Sequence, residues 1–172
     1  MNKLEKYFAC RQGLIDQYIK GDMSKSEYLE RNLDAVLGLN VRPFQSIDSV
    51  EKGLFNYQYY NAMAKEAKVQ SDNRMHYELK KEVLEQANYY YQKKDKATLE
   101  VLNILGYNNV SAYFIHVHSK YLKGRLFEII INKYDMVLHS KSALILSRLR
   151  EERVFEEGTK ISVIDGYINQ KY

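Results

Sequence analysis

Residues 112–139 read AYFIHVHSKYLKGRLFEIIINKYDMVLH, and here the hydrophobic pattern changes from a helical period to a period of two residues. Tyr113, Ile115 and Val117 alternate with Phe114, His116 and His118, which is typical of a β-strand. Two more short apolar runs follow, at 126–131 and 136–138, and the segments 119–124 and 132–133 between the runs have the composition of hairpin turns. The sequence therefore predicts a three-stranded antiparallel meander over about 112–139.

The chain on both sides of this segment has helical periodicity. Gly21 and a Ser24/Glu27 capping box separate two amphipathic helices, over 3–20 and 25–37, and so predict an antiparallel helical hairpin. An Asp48/Glu51 capping box predicts a third, central helix to about residue 70. A fourth helix from 71 or 72 to the charged stretch 93–96, and a short fifth one closed at Gly106, follow. We also expect helices over 141–153 and 160–171.

These elements define an α+β fold that is mostly helical. The N-terminal helical hairpin and the long helices pack with a small three-stranded antiparallel meander. At 172 residues and 20.3 kDa, with one proline and eight glycines, the chain is long enough for a real core and is no fibrous sequence. We expect a single domain over 1–172, with a helical part at 1–106 and the meander plus C-terminal helices at 107–172.

Composition excludes several classes of protein. Cys10 is the only cysteine, so the chain forms no internal disulfide, and its mid-helix position predicts a small buried apolar residue. The longest uncharged stretch, 101–119, contains asparagines and histidines and is no membrane span. Charged residues interrupt every apolar run near the N-terminus, so we expect no signal peptide. A cytoplasmic protein without a membrane partner is the resulting expectation.

No catalytic sequence motif is present. The chain has no Walker loop, no G-x-G-x-x-G, no G-x-S-x-G and no zinc-deaminase pattern, and its glycines are scattered rather than grouped around a phosphate site. We therefore assign no catalytic residue and expect no cofactor, and a non-catalytic protein is favoured while an enzyme stays an alternative.

Tyrosine is the most unusual feature of the composition, with 16 Tyr against 6 Phe and no Trp. Two helical segments each carry a tyrosine cluster, and neighbours in a helix differ by about 100°, so the members cannot all face one core. Exposed tyrosines are typical of interfaces and of pockets for planar ligands, whereas a boundary layer around the core is the structural alternative. The interface or pocket candidates are Tyr57, Tyr59, Tyr60, Tyr89, Tyr90 and Tyr91.

The predicted hairpin is basic. The net charge of the chain is +4, and residues 110–150 carry seven Lys and Arg against two acidic residues. A cationic ribbon with an aromatic side chain can contact phosphates and stack on a base, whereas lysines also commonly protect exposed sheet edges. The nucleic-acid candidates are Lys120, Tyr121, Lys123, Arg125 and Lys133.

His116 and His118 lie two residues apart on a predicted strand and so share a face, as in some zinc sites. His139 is the obvious third ligand. A register that pairs His118 with Arg125 and Leu126 with His139 places His139 on the opposite face and two strands away. We therefore predict no metal site, with His116 and His118 kept only as weak candidates.

Three runs, RQGLIDQYIKGDMSKSEYLERN at 11–32, EKGLFNYQYYNAMAKE at 51–66 and EEGTKISVIDGYINQKY at 156–172, resemble a family of small proteins of unknown function. The family occurs in low-GC Gram-positive bacteria, and the resemblance spans nearly the whole chain. It implies a cytoplasmic bacterial protein and transfers no catalytic residue to this sequence.

Three hypotheses about function follow. The first is a non-catalytic interaction protein that self-associates through exposed tyrosines, which implies a homo-oligomer. The second is a nucleic-acid-binding protein that uses the basic hairpin. The third is an enzyme or small-ligand binder with a pocket lined by tyrosine and histidine.

Overall fold

A computed structural model describes residues 1–72, 77–118, 123–134 and 136–163. It contains helices α1 (Lys3–Lys20), α2 (Lys25–Gly38), α3 (Val50–Asp72), α4 (Tyr77–Leu105) and α5 (Ala143–Glu151). The strands are β1 (Val110–His118), β2 (Lys123–Ile131), β3 (Met136–Ser140) and β4 (Phe155–Val163). The prediction of an α+β fold is confirmed.

The first two helices begin and end where the sequence predicts. Gly21 has a φ of 82°, a left-handed conformation that glycine adopts without steric cost, and it follows directly after α1. The Glu27 N–H donates to Ser24 Oγ at 3.1 Å, which caps α2. The rings of Tyr18 and Tyr28, one on each helix, lie 5.5 Å apart. Local caps therefore fix these boundaries before any long-range contact is needed.

Helix α3 is central, as predicted, because residues 53–58 are all buried. Its cap differs by one residue from the prediction. The Lys52 N–H donates to Ser49 Oγ at 3.3 Å, while Asp48 forms an ion pair with Lys52 at 2.9 Å. Ser49 is thus the residue that caps the helix, and Asp48 adds an i,i+4 ion pair.

The prediction of a break at residues 93–96 is wrong, because α4 runs without interruption through them. The charged stretch has a buried side. Lys94 and Ala97 are buried, and the hydroxyl of Thr98 donates to the Lys94 carbonyl oxygen at 3.0 Å. Tertiary burial of this side outweighs the local charge density that suggested an end.

The sheet is mixed and four-stranded, with the order β3-β2-β1-β4, so the prediction of a three-stranded meander alone is corrected. Strands β1, β2 and β3 do form the antiparallel meander, and β4 pairs in parallel with β1. The predicted helix over 160–171 is wrong at 160–163, which belong to β4, and its remainder lies outside the described residues. Pairing with β4 gives hydrogen-bond partners to the edge of β1 that a meander would leave open.

The helix predicted over 141–153 is confirmed as α5. The Ile145 N–H donates to Ser142 Oγ at 3.4 Å, and Ile145 and Leu149 are fully buried. This helix connects β3 to β4, which completes the crossover that parallel pairing with β1 requires.

The chain divides into two compact units. The helical unit comprises residues 1–14 and 30–101, and the sheet unit comprises 15–29 and the described residues from 102 onward. In the helical unit, Tyr7, Val36, Phe55 and Ala62 form a buried cluster. In the sheet unit, Ile115 and Leu126 form one with Tyr113 against it. The expectation of one domain over 1–172 stays a prediction.

Cys10 is exposed, so the expectation that it is buried is wrong. None of the helices in the described part of the chain combines the length and the apolar composition needed to cross a bilayer.

Candidate functional site

The six candidate tyrosines lie in the helical unit and separate into two groups. Tyr59, Tyr60, Tyr90 and Tyr89 form a continuous chain of ring contacts between α3 and α4. The Tyr60 and Tyr90 rings are stacked at 6.3 Å, and edge-to-face contacts of 5.5 Å join Tyr59 to Tyr60 and Tyr89 to Tyr90. Such ring pairs add to the stability that burial alone provides.

The other two candidates, Tyr57 and Tyr91, place their rings against the ammonium group of Lys94. Tyr57 is fully buried, whereas Tyr89 is 52% exposed and the other four candidates are partly buried. Strong exposure, the basis for expecting an interface, is therefore found at Tyr89 alone among the six.

A pocket of about 210 Å³ opens beside Tyr60, and we call it the Tyr60 pocket. It lies between α3, α4 and the loop that contains the single proline. Its lining comprises Pro43, Phe44, Gln45, Asn56, Tyr60, Lys93, Lys96, Ala97 and Glu100. The four α4 residues fall at spacings of three, one and three, so one side of that helix forms one wall.

Asn56 fixes the loop wall of the Tyr60 pocket. Its Oδ1 accepts the Phe44 N–H at 2.8 Å, and its Nδ2 donates to the Phe44 carbonyl oxygen at 2.8 Å. The Phe44 ring also packs edge-to-face on Phe55 at 5.7 Å and lies 5.5 Å from the ammonium of Lys52. The wall is therefore held in place without a ligand.

Gly53 and Val101 set the close approach of α3 and α4 near this pocket. A Cβ atom on Gly53 would lie 2.5 Å from Val101 Cγ2, closer than two carbon atoms can pack. A side chain at position 53 would force Val101 or one of the helices to shift, so glycine preserves this approach of α3 and α4.

The surroundings of the Tyr60 pocket keep the Tyr60 phenol neutral, and the lining carries a net positive charge. Burial raises the pKa of Tyr60, with smaller contributions from Tyr89, Tyr59, Tyr90 and Glu100. The Tyr60 hydroxyl therefore remains a hydrogen-bond donor at neutral pH. Lys93 and Lys96 outnumber Glu100 in the lining, which leaves one net positive charge.

A second polar cluster of the helical unit contains Lys65 and Lys94. Lys94 is only 4% exposed, and its Nζ lies 5.1 Å from the ring centre of Tyr91 and 5.6 Å from that of Tyr57. Burial lowers the pKa of Lys65 to about 7, and the charge of Lys94 adds to that effect.

The sheet unit contains a polar row that the sequence did not predict: the partly buried Tyr113 and the buried Glu128 and His139. The Tyr113 hydroxyl donates to Glu128 Oε1 at 2.7 Å, and His139 Nε2 lies 3.0 Å from Glu128 Oε2. Glu128 is 7% exposed and His139 2%. Burial, followed by the hydrogen bond and charge of Glu128, raises the pKa of Tyr113.

This row was missed because the inferred register differs from the observed one by two residues. The inferred register pairs Glu128 with Val137, whereas Glu128 lies opposite Tyr113 on one side and His139 on the other. Polar residues at equivalent positions of adjacent strands are the signal for such a row, and it becomes useful only once the register is known.

The histidine candidates lie on the face that the sequence predicts. His118 pairs with Lys123 and not with Arg125, but a shift of two residues keeps every side chain on its face. His139 therefore lies opposite to His116 and His118. Across the described residues, no group of three or more His, Cys, Asp or Glu side chains is placed to hold a metal ion.

The basic hairpin candidates are only partly described. Lys120 and Tyr121 lie outside the described residues, and Lys123 begins β2. The guanidinium carbon of Arg125 lies 3.5 Å from the ring centre of Phe114, and the ammonium of Lys133 lies 5.6 Å from the ring centre of Tyr134. Both described cations thus contact aromatic rings of the sheet unit, and nucleic-acid binding stays a prediction.

Comparison with known proteins adds a family to this geometry. No curated protein and no solved structure matches the chain significantly. One family model matches residues 1–172 and thus the whole sequence. The chain belongs to this family, DUF6648, which is described as a family of unknown function.

Proposed function

We propose that the protein is a non-catalytic binding protein that takes one small planar organic anion into the Tyr60 pocket. The observation that carries this proposal is the combination, in one pocket, of aromatic rings, two lysines and a wall fixed by hydrogen bonds. We also propose a cytoplasmic bacterial setting, on the resemblance of residues 11–32, 51–66 and 156–172.

The size of the pocket limits the ligand. Pockets for drug-sized molecules measure about 300–1,000 Å³, whereas the Tyr60 pocket measures about 210 Å³. A molecule with a single ring and one small substituent is the class that suits this volume.

The lining supports a planar, negatively charged ligand. Phe44 and Tyr60 offer ring surfaces, and the neutral Tyr60 hydroxyl is a donor. Lys93 and Lys96 offer ammonium groups to a carboxylate. Glu100 offsets one of their two charges, so the lining carries one net positive charge, which a monoanion would neutralise.

The loop wall of the Tyr60 pocket is already in place before a ligand binds, which supports binding. The two hydrogen bonds between Asn56 and Phe44 already hold the loop, so a ligand does not have to order it.

Calorimetric titration with benzoate tests the proposal, with benzamide and cyclohexanecarboxylate as matched probes that lack the charge or the planarity. For nine non-hydrogen atoms we expect a benzoate Kd on the order of 0.1–1 mM. Benzamide and cyclohexanecarboxylate should each bind at least about fivefold more weakly. Equal binding of benzoate and benzamide, or no benzoate binding at about 10 mM, contradicts the proposal.

Variants locate the binding. Lys96→Gln and Tyr60→Leu should each weaken benzoate binding by roughly three- to tenfold. Lys81→Gln is the matched control, because Lys81 is exposed on α4 and is not part of the pocket lining. A loss of affinity in Lys81→Gln as large as in Lys96→Gln would indicate a nonspecific charge effect.

Self-association remains the second candidate, because Tyr89 is 52% exposed and the Lys93 ammonium lies 5.5 Å from the centre of its ring. Light scattering should then give a multiple of 20.3 kDa that falls to one chain in Tyr89→Ser. A single-chain mass for the unaltered protein rules this candidate out and leaves the benzoate result unaffected.

A further inference from the structure

The charged residues that line the Tyr60 pocket follow one another along α4, with the cations at one end and the anion at the other. Lys93, Lys96 and Glu100 lie on one side of this helix, at successive spacings of three and four residues. At a rise of about 1.5 Å per residue, Glu100 is about 6 Å from Lys96 and about 10 Å from Lys93 along the helix axis. A bound ligand therefore contacts positive and negative groups at different ends of this wall.

Lys96 and Glu100 are available to a ligand. Residues four apart on a helix often form an ion pair, as Asp48 and Lys52 do at the N-terminus of α3. Within the described part of the chain, the side chains of Lys96 and Glu100 form neither an ion pair nor a hydrogen bond. Lys96 can therefore pair with the carboxylate of a ligand, while Glu100 keeps an acceptor for a second group of the same ligand.

Glu100 makes one end of the Tyr60 pocket select for a hydrogen-bond donor. Glu100 is partly buried, and its charge contributes to the raised pKa of Tyr60, so the carboxylate and the phenol influence each other across the pocket. A carboxylate only accepts hydrogen bonds, and those it accepts are roughly twice as strong as bonds between neutral groups. A ligand atom beside Glu100 is therefore favoured when it carries a proton and disfavoured when it is itself an acceptor.

We propose that the ligand class of the Tyr60 pocket is a five-membered nitrogen heteroaromatic carboxylate whose ring N–H donates to Glu100 while its carboxylate pairs with Lys96. This inference rests on the proposed function and adds the identity of the ring. A ring N–H on the side away from the carboxylate supplies a donor without a second substituent, which suits the pocket volume of about 210 Å³. Glu100 is then the residue that distinguishes such rings from plain aromatic acids, because a ring without the donor leaves the carboxylate unpaired.

Calorimetric titration of the full chain with three monoanions of nearly equal size tests this inference. Pyrrole-3-carboxylate carries its N–H away from the carboxylate, furan-3-carboxylate has an oxygen that only accepts, and pyrrole-2-carboxylate has its N–H beside the carboxylate, at the lysine end. We expect pyrrole-3-carboxylate to bind at least about fivefold more tightly than either of the others. Equal binding of pyrrole-3-carboxylate and furan-3-carboxylate overturns the inference, and equal binding of the two pyrroles overturns the placement of the donor at Glu100.

The benzoate titration separates a failure of this inference from a failure of the proposed function. Binding of benzoate with no preference among the three five-membered rings overturns this inference alone. Absence of binding for benzoate and for all three rings overturns both.

A variant at Glu100 assigns the preference to its carboxylate. Glu100→Met removes the acceptor at similar side-chain length, so the affinity ratio of pyrrole-3-carboxylate to furan-3-carboxylate should fall to within about twofold of one. Benzoate should bind this variant more tightly, because a negative charge leaves the lining. Glu85→Met is the matched control, since Glu85 is exposed on α4 outside the lining, and it should keep the ratio of the unaltered chain.

A preference for pyrrole-3-carboxylate that survives in Glu100→Met overturns the role of Glu100. If Glu100→Met does not fold, the comparison of the three rings in the unaltered chain decides by itself.

Discussion

In the sheet unit, the buried carboxylate of Glu128 lies between the hydroxyl of Tyr113 and the imidazole of His139. In the helical unit, the buried ammonium of Lys94 lies against two ring faces, and its charge acts on a second lysine, Lys65. The first arrangement stabilises a charge with directed hydrogen bonds. The second places a buried charge against ring faces, and burial together with the charge of Lys94 lowers the pKa of Lys65.

Strands and helices position polar side chains in different ways. Adjacent strands place residues of one row about 5 Å apart, so a carboxylate can reach a partner on each side. The residues on one face of a helix follow one another along its axis. Their side chains therefore contact aromatic rings and charged groups of neighbouring helices. We therefore expect mutation of the buried carboxylate to lower the stability of the sheet unit, and pH to change the stability of the helical unit through Lys65.

The largest effect is expected for Glu128→Ala. The change leaves the partly buried Tyr113 hydroxyl and the buried His139 imidazole without the carboxylate, which should cost about 3 kcal/mol of the free energy of unfolding. Urea denaturation measures it, and Glu156→Ala is the matched control, because Glu156 is exposed and lies opposite Tyr113 on the other side. A loss of unfolding free energy below about 1 kcal/mol in Glu128→Ala would contradict the expectation that the hydrogen bonds of Glu128 stabilise the sheet unit strongly.

The next effect is the pH dependence that Lys65 gives to stability. Its pKa in the folded chain is about 7, below the ordinary 10.5, so between these values the unfolded chain binds the extra proton. Stability should therefore rise with pH across this window, by up to about 1.4 kcal/mol per pH unit relative to Lys65→Met. Urea denaturation from about pH 7.5 to 9.5 measures it, and parallel curves for the two chains contradict the prediction.

The smallest effect concerns a cation over a ring at an exposed position of the sheet unit. Arg125 is exposed, and its guanidinium carbon lies 3.5 Å from the ring centre of Phe114, so Arg125→Gln should cost about 0.5–1 kcal/mol. The control Lys133→Gln, whose ammonium lies 5.6 Å from the ring centre of Tyr134, should cost less. Equal costs in thermal unfolding would mean that distance to the ring does not govern these contacts.

Much of the fold follows from local signals. The helices α1 and α2, the close of α4 before Gly106 and the meander β1–β3 correspond to caps, glycines and periods that are visible in the sequence. The faces of β1 and β3 were also predictable, because any even shift of register keeps the alternation.

The candidate sites were predictable only in part. The tyrosine clusters identify Tyr60 and Tyr90, but the Tyr60 pocket also needs Phe44 and Asn56, which no period connects to them. Nothing in the sequence singles out Lys65 or Lys94, because a lysine on a helix is usually solvated and its burial depends on neighbours from other helices.

Caps and hydrophobic periods act over a few residues, so local sequence is enough to place α1, α2, α5 and the strands β1–β3 and to show which strand side chains share a face. The tertiary structure alone decided that β4 joins the sheet, that α4 continues through residues 93–96 and that Glu128 meets both Tyr113 and His139. These outcomes depend on pairing and burial between residues far apart in the chain, where the gain from satisfied backbone groups and excluded water exceeds local preference.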